Sequence, residues 1–426
     1  MTMSYLTQML GMGVQNFLSA ATGIAVAFAL MRGFSRHESS TIGCFAHDVI
    51  RITLWVLLPM CLTYALFLVS QGVIQNMSDY LTVTTLAGDS QSIAMGPVAS
   101  QEAVKLLGTN GGGFFNVNSA HPFENPTPLT NFLEALAIFA IPTGLTYAFG
   151  RMVGHQREGW MLWQVMGALF VLAFTAFVYT ESTGNPLLQA IGAEGLSWEG
   201  KDARFDLGAV SLFSTVTTSA SCGAVAVMHD SLMPLSGMVT MVLMQLGEVV
   251  FGGVGAGFYG MIVMAVIAVF IASLMVGRTP EYLGKKITPK EMKLAALTML
   301  TVPFIVLAGT GINLMLPEAL ESLNNPGAHG LSEILYAWTS AANNNGSAFA
   351  GLNANTAFYN IGLAIAMWLG RFIVIVLTLA LAGTLAQERH VPSGKGTLDT
   401  ASHLFAGLLI VCLECFTFFR IINNKS

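Results

Sequence analysis

Eight stretches of this chain are apolar for long enough to cross a bilayer: roughly 12–32, 50–73, 129–150, 160–180, 236–276, 291–315, 359–383 and 402–421. About 20 apolar residues span the hydrocarbon layer, and backbone inside it must satisfy its hydrogen bonds within its own segment. The spans are therefore helices, and the expected fold is an all-α polytopic membrane protein. Composition agrees: 10% of the residues are charged, against about 25% in soluble domains. The span 236–276 is too long for one straight crossing. It is interrupted at Phe251-Gly252-Gly253-Val254-Gly255-Ala256-Gly257, which predicts a broken helix with a flexible middle.

The loops alternate in charge. Arg32, Arg36, Arg51, Arg151, Arg157, Arg278, Lys285, Lys286, Lys290, Lys293, Arg389 and Lys395 fall on one set of alternate connections. The other set holds only Lys201 and Arg204, with Lys105 on a short helix between spans. The positive-inside rule makes the first set cytoplasmic, so the second opens to the outside. No basic n-region precedes the first apolar stretch, so no cleaved signal peptide is expected. No nucleic-acid partner is expected.

The outside loops repeat one pattern: a long helix, an acidic loop, a short helix, small polar residues with glycine, and a long helix again. The first copy runs Ser100–Leu107 and then Thr109-Asn110-Gly111-Gly112-Gly113. The second runs Asp206–Val216 and then Thr217–Gly223, ending Ser221-Cys222-Gly223. The third runs Ser332–Ser340 and then Ala341–Ser347, containing Asn344-Asn345-Gly346. Non-helical backbone at membrane depth is tolerated where it is buried in protein or lines a water-filled pore. Rings of carbonyls in such loops replace the hydration shell of an alkali cation. Each short helix would aim its C-terminal end, with about half a negative charge, toward the pore axis. No acidic ring lies within the three motifs, which suits a monovalent cation better than calcium or magnesium. Asp206 and Ser332 are the expected N-caps of two short helices.

Other chemistries find little support. The cysteines Cys44, Cys61, Cys222, Cys412 and Cys415 form no disulfide framework. Ser393-Gly394-Lys395-Gly396-Thr397 resembles the tail of a nucleotide loop, but Arg389 stands where that pattern needs glycine. No Asp-Lys-Thr-Gly-Thr phosphorylation motif occurs. The chain is expected not to hydrolyse ATP, so uphill transport would need a partner or an ion gradient. His229, Asp230 and Ser231 do not form the arrangement of a hydrolytic triad. Glu248, in an apolar helix beside the glycine break, is an intramembrane charge and so a functional candidate or a structural partner. Arg371 lowers the affinity of a nearby cation site or pairs with an acid. Glu134 reads as structural, and Lys105 as snorkelling outward.

GTNGGGFFNVNSAHPFENPTPLTNF (108–132), SASCGAVAVMHDS (219–231), GEVVFGGVGAG (247–257), GRTPEYLGKKI (277–287) and SAANNNGSAFAGL (340–352) together resemble the A subunit of the bacterial Kdp potassium-transporting ATPase. The resemblance covers roughly residues 10 to 400. It implies four channel-like units around a pseudo-fourfold pore. It also implies potassium bound at an external filter and passed to a P-type ATPase B subunit, with C and small F subunits completing the complex in the bacterial inner membrane. The implied filter residues are Thr109, Asn110, Gly111 and Gly112, then Ser221, Cys222 and Gly223, then Asn344, Asn345 and Gly346. The implied gating loop holds Gly252, Gly253, Gly255 and Gly257. Arg371 matches a basic residue on the last unit's second helix.

On this reading residues 1–35 hold the closing helix of a first unit. Residues 36–155, 156–286 and 287–390 are three complete pore units, and 391–426 is a final helix. The resemblance places a further helix and filter loop before position 1, and Cys412–Arg420 departs from the family's last helix, so a truncated reading is expected. A self-sufficient channel or cation symporter, or an inert membrane fragment, are the alternatives.

Overall fold

The computed structural model describes residues 3–193, 195–392 and 397–422, with side chains up to Cys415. Most of the nucleotide-loop-like run (393–396) and the side chains of the unusual end (416–420) lie outside the described residues. The chain is helical almost throughout: α1 (Thr7–Ser35) and α2 (Phe45–Ser70), α3 (Val98–Leu107), α4 (Pro128–Met152), α5 (Gln156–Ser182) and α6 (Leu207–Ser219). Then follow α7 (Pro234–Gln245), α8 (Ala256–Met275), α9 (Pro289–Leu314), α10 (Ala328–Asn343), α11 (Ala357–Gln387) and α12 (His403–Ile422).

Seven helices among the described residues are long and apolar enough to cross a membrane, with α7 and α12 as shorter apolar pieces. The all-α polytopic expectation holds. Two short hairpins were not expected: β1 (Leu81–Thr84) with β2 (Ser90–Ile93), and β3 (Glu281–Tyr282) with β4 (Lys285–Lys286).

In a chain apolar on every face, burial separates core helices from lipid-facing ones. The apolar window of α8 is 72% buried, that of α2 22% and that of α11 17%. So α8 is the centre, and α2 and α11 turn bulky residues such as Trp55 and Trp368 outward. Helix α1 packs closely because its inner face is small: Ala20, Ala21, Gly23, Ala25 and Ala27 are buried. A Cβ on Gly33 would lie 2.8 Å from the Ala382 carbonyl oxygen, so α1 and α11 meet backbone to backbone.

Helix starts follow local rules. Thr127 and Thr130 form a reciprocal cap at α4, and Thr288 and Glu291 one at α9, each followed by proline at the first helical position. Asp206 caps α6 as expected, accepting the Ala209 N–H at 2.7 Å. Ser332 is not a cap. Helix α10 begins at Ala328 after Gly327, whose φ of +71° only glycine adopts readily, and the Ser332 hydroxyl bonds back to the Ala328 carbonyl instead.

The broken helix is wider than its glycines suggest. Helix α7 already ends at Gln245, and the turns run to Gly255. Glu248 therefore sits in the break itself, at φ +52°. Gly247, Glu248, Phe251 and Gly255 all take positive φ, which no helix continues through.

On the other face of the bundle, Lys285 ties two helix ends. Its Nζ donates to the Arg36 carbonyl at 2.5 Å and the Glu388 carbonyl at 2.9 Å, just past α1 and α11. Burial pulls this ammonium below its usual pKa, and Glu388 opposes that.

Candidate functional site

Helices α3, α6 and α10 end in the same turn. After each, one residue takes the left-handed conformation: Thr109 (φ +49°), Ser221 (φ +52°) and Asn344 (φ +62°). The next residue's N–H returns to the carbonyl five positions back: Asn110 to Lys105 at 2.8 Å, Cys222 to Thr217 at 3.1 Å, and Asn345 to Ser340 at 2.9 Å. This is the Schellman bond, a common helix ending that usually carries glycine at its left-handed position. Here that position is polar in all three copies, and the glycine follows two residues later.

The three turns converge. A Cβ on Gly111 would overlap the backbone nitrogen of Gly223, and one on Gly223 would lie 2.8 Å from the Asn345 oxygen. Only glycine fits at either point. Side chains then lock the loops. The Ser221 hydroxyl donates to the carbonyls of Asn343 (3.4 Å) and Asn344 (3.3 Å). Asn345 Nδ2 donates to the Thr217 carbonyl at 3.1 Å. Gly346, at φ +103°, donates its N–H to the Ser340 hydroxyl at 3.0 Å. Asn344 Nδ2 reaches the Met367 carbonyl on α11 at 3.1 Å. Asn110 reaches α1, donating to the Asn16 carbonyl at 3.1 Å and accepting from the Ser19 hydroxyl. Gly112 stands apart, with nothing nearer to its missing Cβ than Asn118 Oδ1 at 4.0 Å.

The break between α7 and α8 lies against these turns. Thr109 Oγ1 accepts the Val254 N–H at 2.9 Å. A Cβ on Gly253 would lie 2.8 Å from the Ser221 Cβ. Gly255, at φ +87°, abuts the backbone of Gly23 on α1, and Gly252 and Gly257 pack on each other. Glu248 is buried and accepts from Asn345 Nδ2 at 2.8 Å. One cavity of about 930 Å³ touches all three turns, at Thr109, Asn110, Ser221, Asn344, Asn345 and Gly346, together with Gly253 and Arg371. Helix α1 adds Gln15, Ser19 and Thr22 to the same wall. Glu248, Tyr259 and Arg371 line a smaller neighbouring cavity of about 70 Å³. Cys222 is fully buried behind the wall, its carbonyl accepting from the Thr217 hydroxyl.

Two residues stand behind the turns: Thr217, at the start of the second motif, and Glu124, which sequence reasoning missed. Thr217 holds the second loop, its hydroxyl also within 2.6 Å of the Ala224 carbonyl. Glu124 holds the first, accepting the Phe115 N–H at 2.5 Å. Its partner corrects an expectation. Lys105 does not snorkel; it is 1% exposed and pairs with Glu102 at 2.6 Å and Glu124 at 3.1 Å. Every residue of helix α3 but Ser100 is buried, so the Lys105 ammonium finds no interface to reach. The Glu102–Lys105 spacing of three residues was the available signal. Glu134 is buried in the same region, close to Glu102 and Lys105.

A bundle of spanning helices whose three short inner helices end at one cavity defines a polytopic helical membrane protein. The likeness is to the potassium transporter TrkH of Vibrio parahaemolyticus, with a TM-score of 0.52 at 14% identity over 86% of this chain and 71% of that one. Sequence carries the assignment further. The family model of the potassium-transporting ATPase A subunit matches residues 1–422. The potassium-transporting ATPase potassium-binding subunit of Methylibium petroleiphilum is 60% identical over 420 residues, 96% of this chain and 73% of that protein. The subunit of the same name from Yersinia enterocolitica is 58% identical over 410 residues, again 96% of this chain and 73% of its own length. The chain belongs to the potassium-transporting ATPase A subunit family.

Proposed function

We propose that this chain binds external potassium in a filter of backbone carbonyls and passes it to a P-type ATPase subunit that supplies the work. The filter residues are Thr109, Asn110, Gly111 and Gly112, Ser221, Cys222 and Gly223, and Asn344, Asn345 and Gly346. The observation that carries this reading is the repeated Schellman turn, three polar left-handed residues closing on one cavity. Three helix C-termini bring partial negative charge there without a carboxylate ring, which suits one dehydrated monovalent ion.

Residues 36–155, 156–286 and 287–390 act as pore units, flanked by 1–35 and 391–426. The break at Gly252, Gly253, Gly255 and Gly257 gates the exit, because Val254 hangs from Thr109 and Glu248 from Asn345. Ion occupancy at the turns is thereby coupled to the break. Arg371, on the wall of the same cavity, speeds release by repulsion. The chain holds no nucleotide. Its partners are the B, C and F subunits of the Kdp complex in the inner membrane, with the turns facing outward.

The test is co-expression with those subunits in a strain lacking its own high-affinity potassium uptake. Growth at micromolar potassium, and co-purification of the P-type ATPase with this chain, are expected. Growth without any bound ATPase would overturn the pump reading in favour of a channel or symporter.

A further inference from the structure

Away from the filter, three metal-type ligands from one turn and one helix meet. Asp230 lies in the turn His229–Ser231 after the second filter loop. His329 and Glu333 lie on the first turns of α10. His329 Nε2 is 2.8 Å from Asp230 Oδ1. One ligand atom from each of Asp230, His329 and Glu333 falls within 4.8 Å of the others. A tetrahedral ion with bonds of about 2.0–2.2 Å needs ligand atoms roughly 3.3 Å apart, so small shifts close the set.

The cluster also contains an unexplained atom. Glu333 is fully buried; its Oε1 accepts from Asn325 Nδ2 at 2.6 Å, but its Oε2 has no hydrogen-bond partner among the described residues. A buried carboxylate oxygen without a donor is costly unless something cationic meets it. The backbone makes room for the pair of carboxylates. A Cβ on Gly351 would overlap Glu333 Oε1 and lie 2.5 Å from Asp230 Oδ2. The His329 side chain is 44% exposed, which leaves an entry path and a place for a water ligand.

We propose that Asp230, His329 and Glu333 form a binding site for a divalent transition ion of the zinc type. One imidazole and two carboxylates suit zinc, cobalt or manganese; magnesium and calcium favour all-oxygen sites. A bound ion replaces the Asp230–His329 contact and clamps the turn after the second filter loop to the helix that leads into the third.

The test uses the full chain, purified with a tag free of histidine and titrated with Co2+. The expected result is one Co2+ per chain with visible d–d absorption, displaced by equimolar Zn2+ and not by millimolar Mg2+. His329→Gln changes an exposed side chain and leaves the elution profile intact; it weakens binding by more than about tenfold. Gly351→Ala, which crowds both carboxylates, does the same. Unchanged Co2+ binding in His329→Gln, absence of the absorption band, or displacement by Mg2+ overturns the site.

Discussion

Gly111→Ala and Gly112→Ala form a matched pair. Both glycines take left-handed φ, +67° and +77°. Each alanine therefore carries a similar backbone strain, about 1–2 kcal/mol. They differ in what the new methyl meets. At Gly111 it overlaps the backbone of Gly223, and at Gly112 it meets nothing closer than 4.0 Å. Only Gly111→Ala must push the first and second turns apart. If carbonyls of those turns ligate potassium, separating them removes one charge–dipole contact or more. Hydrogen bonds to charged groups, the nearest analogue, contribute about 1.5–3 kcal/mol each. That corresponds to roughly a 10- to 150-fold weaker potassium affinity. The assay is potassium-stimulated ATP hydrolysis by the purified complex, read as the concentration for half-maximal rate. Gly112→Ala should shift it only a few fold. Equal shifts in the two variants, or none in Gly111→Ala, would refute the claim that contact between the turns sets the ion site.

Three further outcomes are expected. Lys105→Met leaves Glu102 and Glu124 buried without their cation, a loss of about 3–5 kcal/mol by the usual cost of breaking a buried pair. Thermal inactivation in detergent measures it, and Lys105→Met combined with Glu102→Gln should recover part of the loss. Arg371→Gln removes positive charge from the cavity wall, so apparent potassium affinity rises while turnover falls; a paired measurement of half-saturation and maximal rate checks both. His229 is buried against the Tyr336 hydroxyl at 2.8 Å, and burial lowers its pKa to about 4 from the ordinary 6.5. The folded state thus binds fewer protons than the unfolded one between these values, so stability present above about pH 6.5 is lost as pH falls toward 4, by about 3 kcal/mol. Unfolding midpoints at pH 7 and pH 4.5 should differ more in the parent than in His229→Gln.

The spanning helices were legible because lipid demands long apolar runs, and the broken helix because glycine clusters there. The place of each of the three turns was legible from Gly111, Gly223 and Gly346. Their shared geometry was not, because the left-handed residues are Thr109, Ser221 and Asn344 rather than glycine, and their composition alone points to no common fold. Lys105 was misread because its second partner, Glu124, is 19 residues away in sequence. Asp230 and His329, 99 residues apart, share no local signal at all. Ser332 resembled a cap, but Gly327 allowed the helix to start earlier. The break was placed too late because Gly247 and Glu248 look helical until the positive φ at each is known.

The triples Thr-Asn-Gly, Ser-Cys-Gly and Asn-Asn-Gly have little in common but their last residue, yet the same backbone bond closes each turn. The shape of the turn therefore comes from the Schellman geometry, which any sequence tolerant of a left-handed residue can adopt. That leaves the side chains free for a second task. Thr109 holds Val254, Ser221 holds the neighbouring turn, Asn344 reaches Met367 on α11, and Asn345 holds Glu248, so the variable positions fasten the turns to the broken helix, to α11 and to each other. If the proposed filter and gate hold, substitutions at the glycines act on the ion, and those at Thr109 and Asn345 on the coupling between the turns and the break. A division of this kind explains why the chain spends polar residues at positions where glycine would relieve strain of about 1–2 kcal/mol.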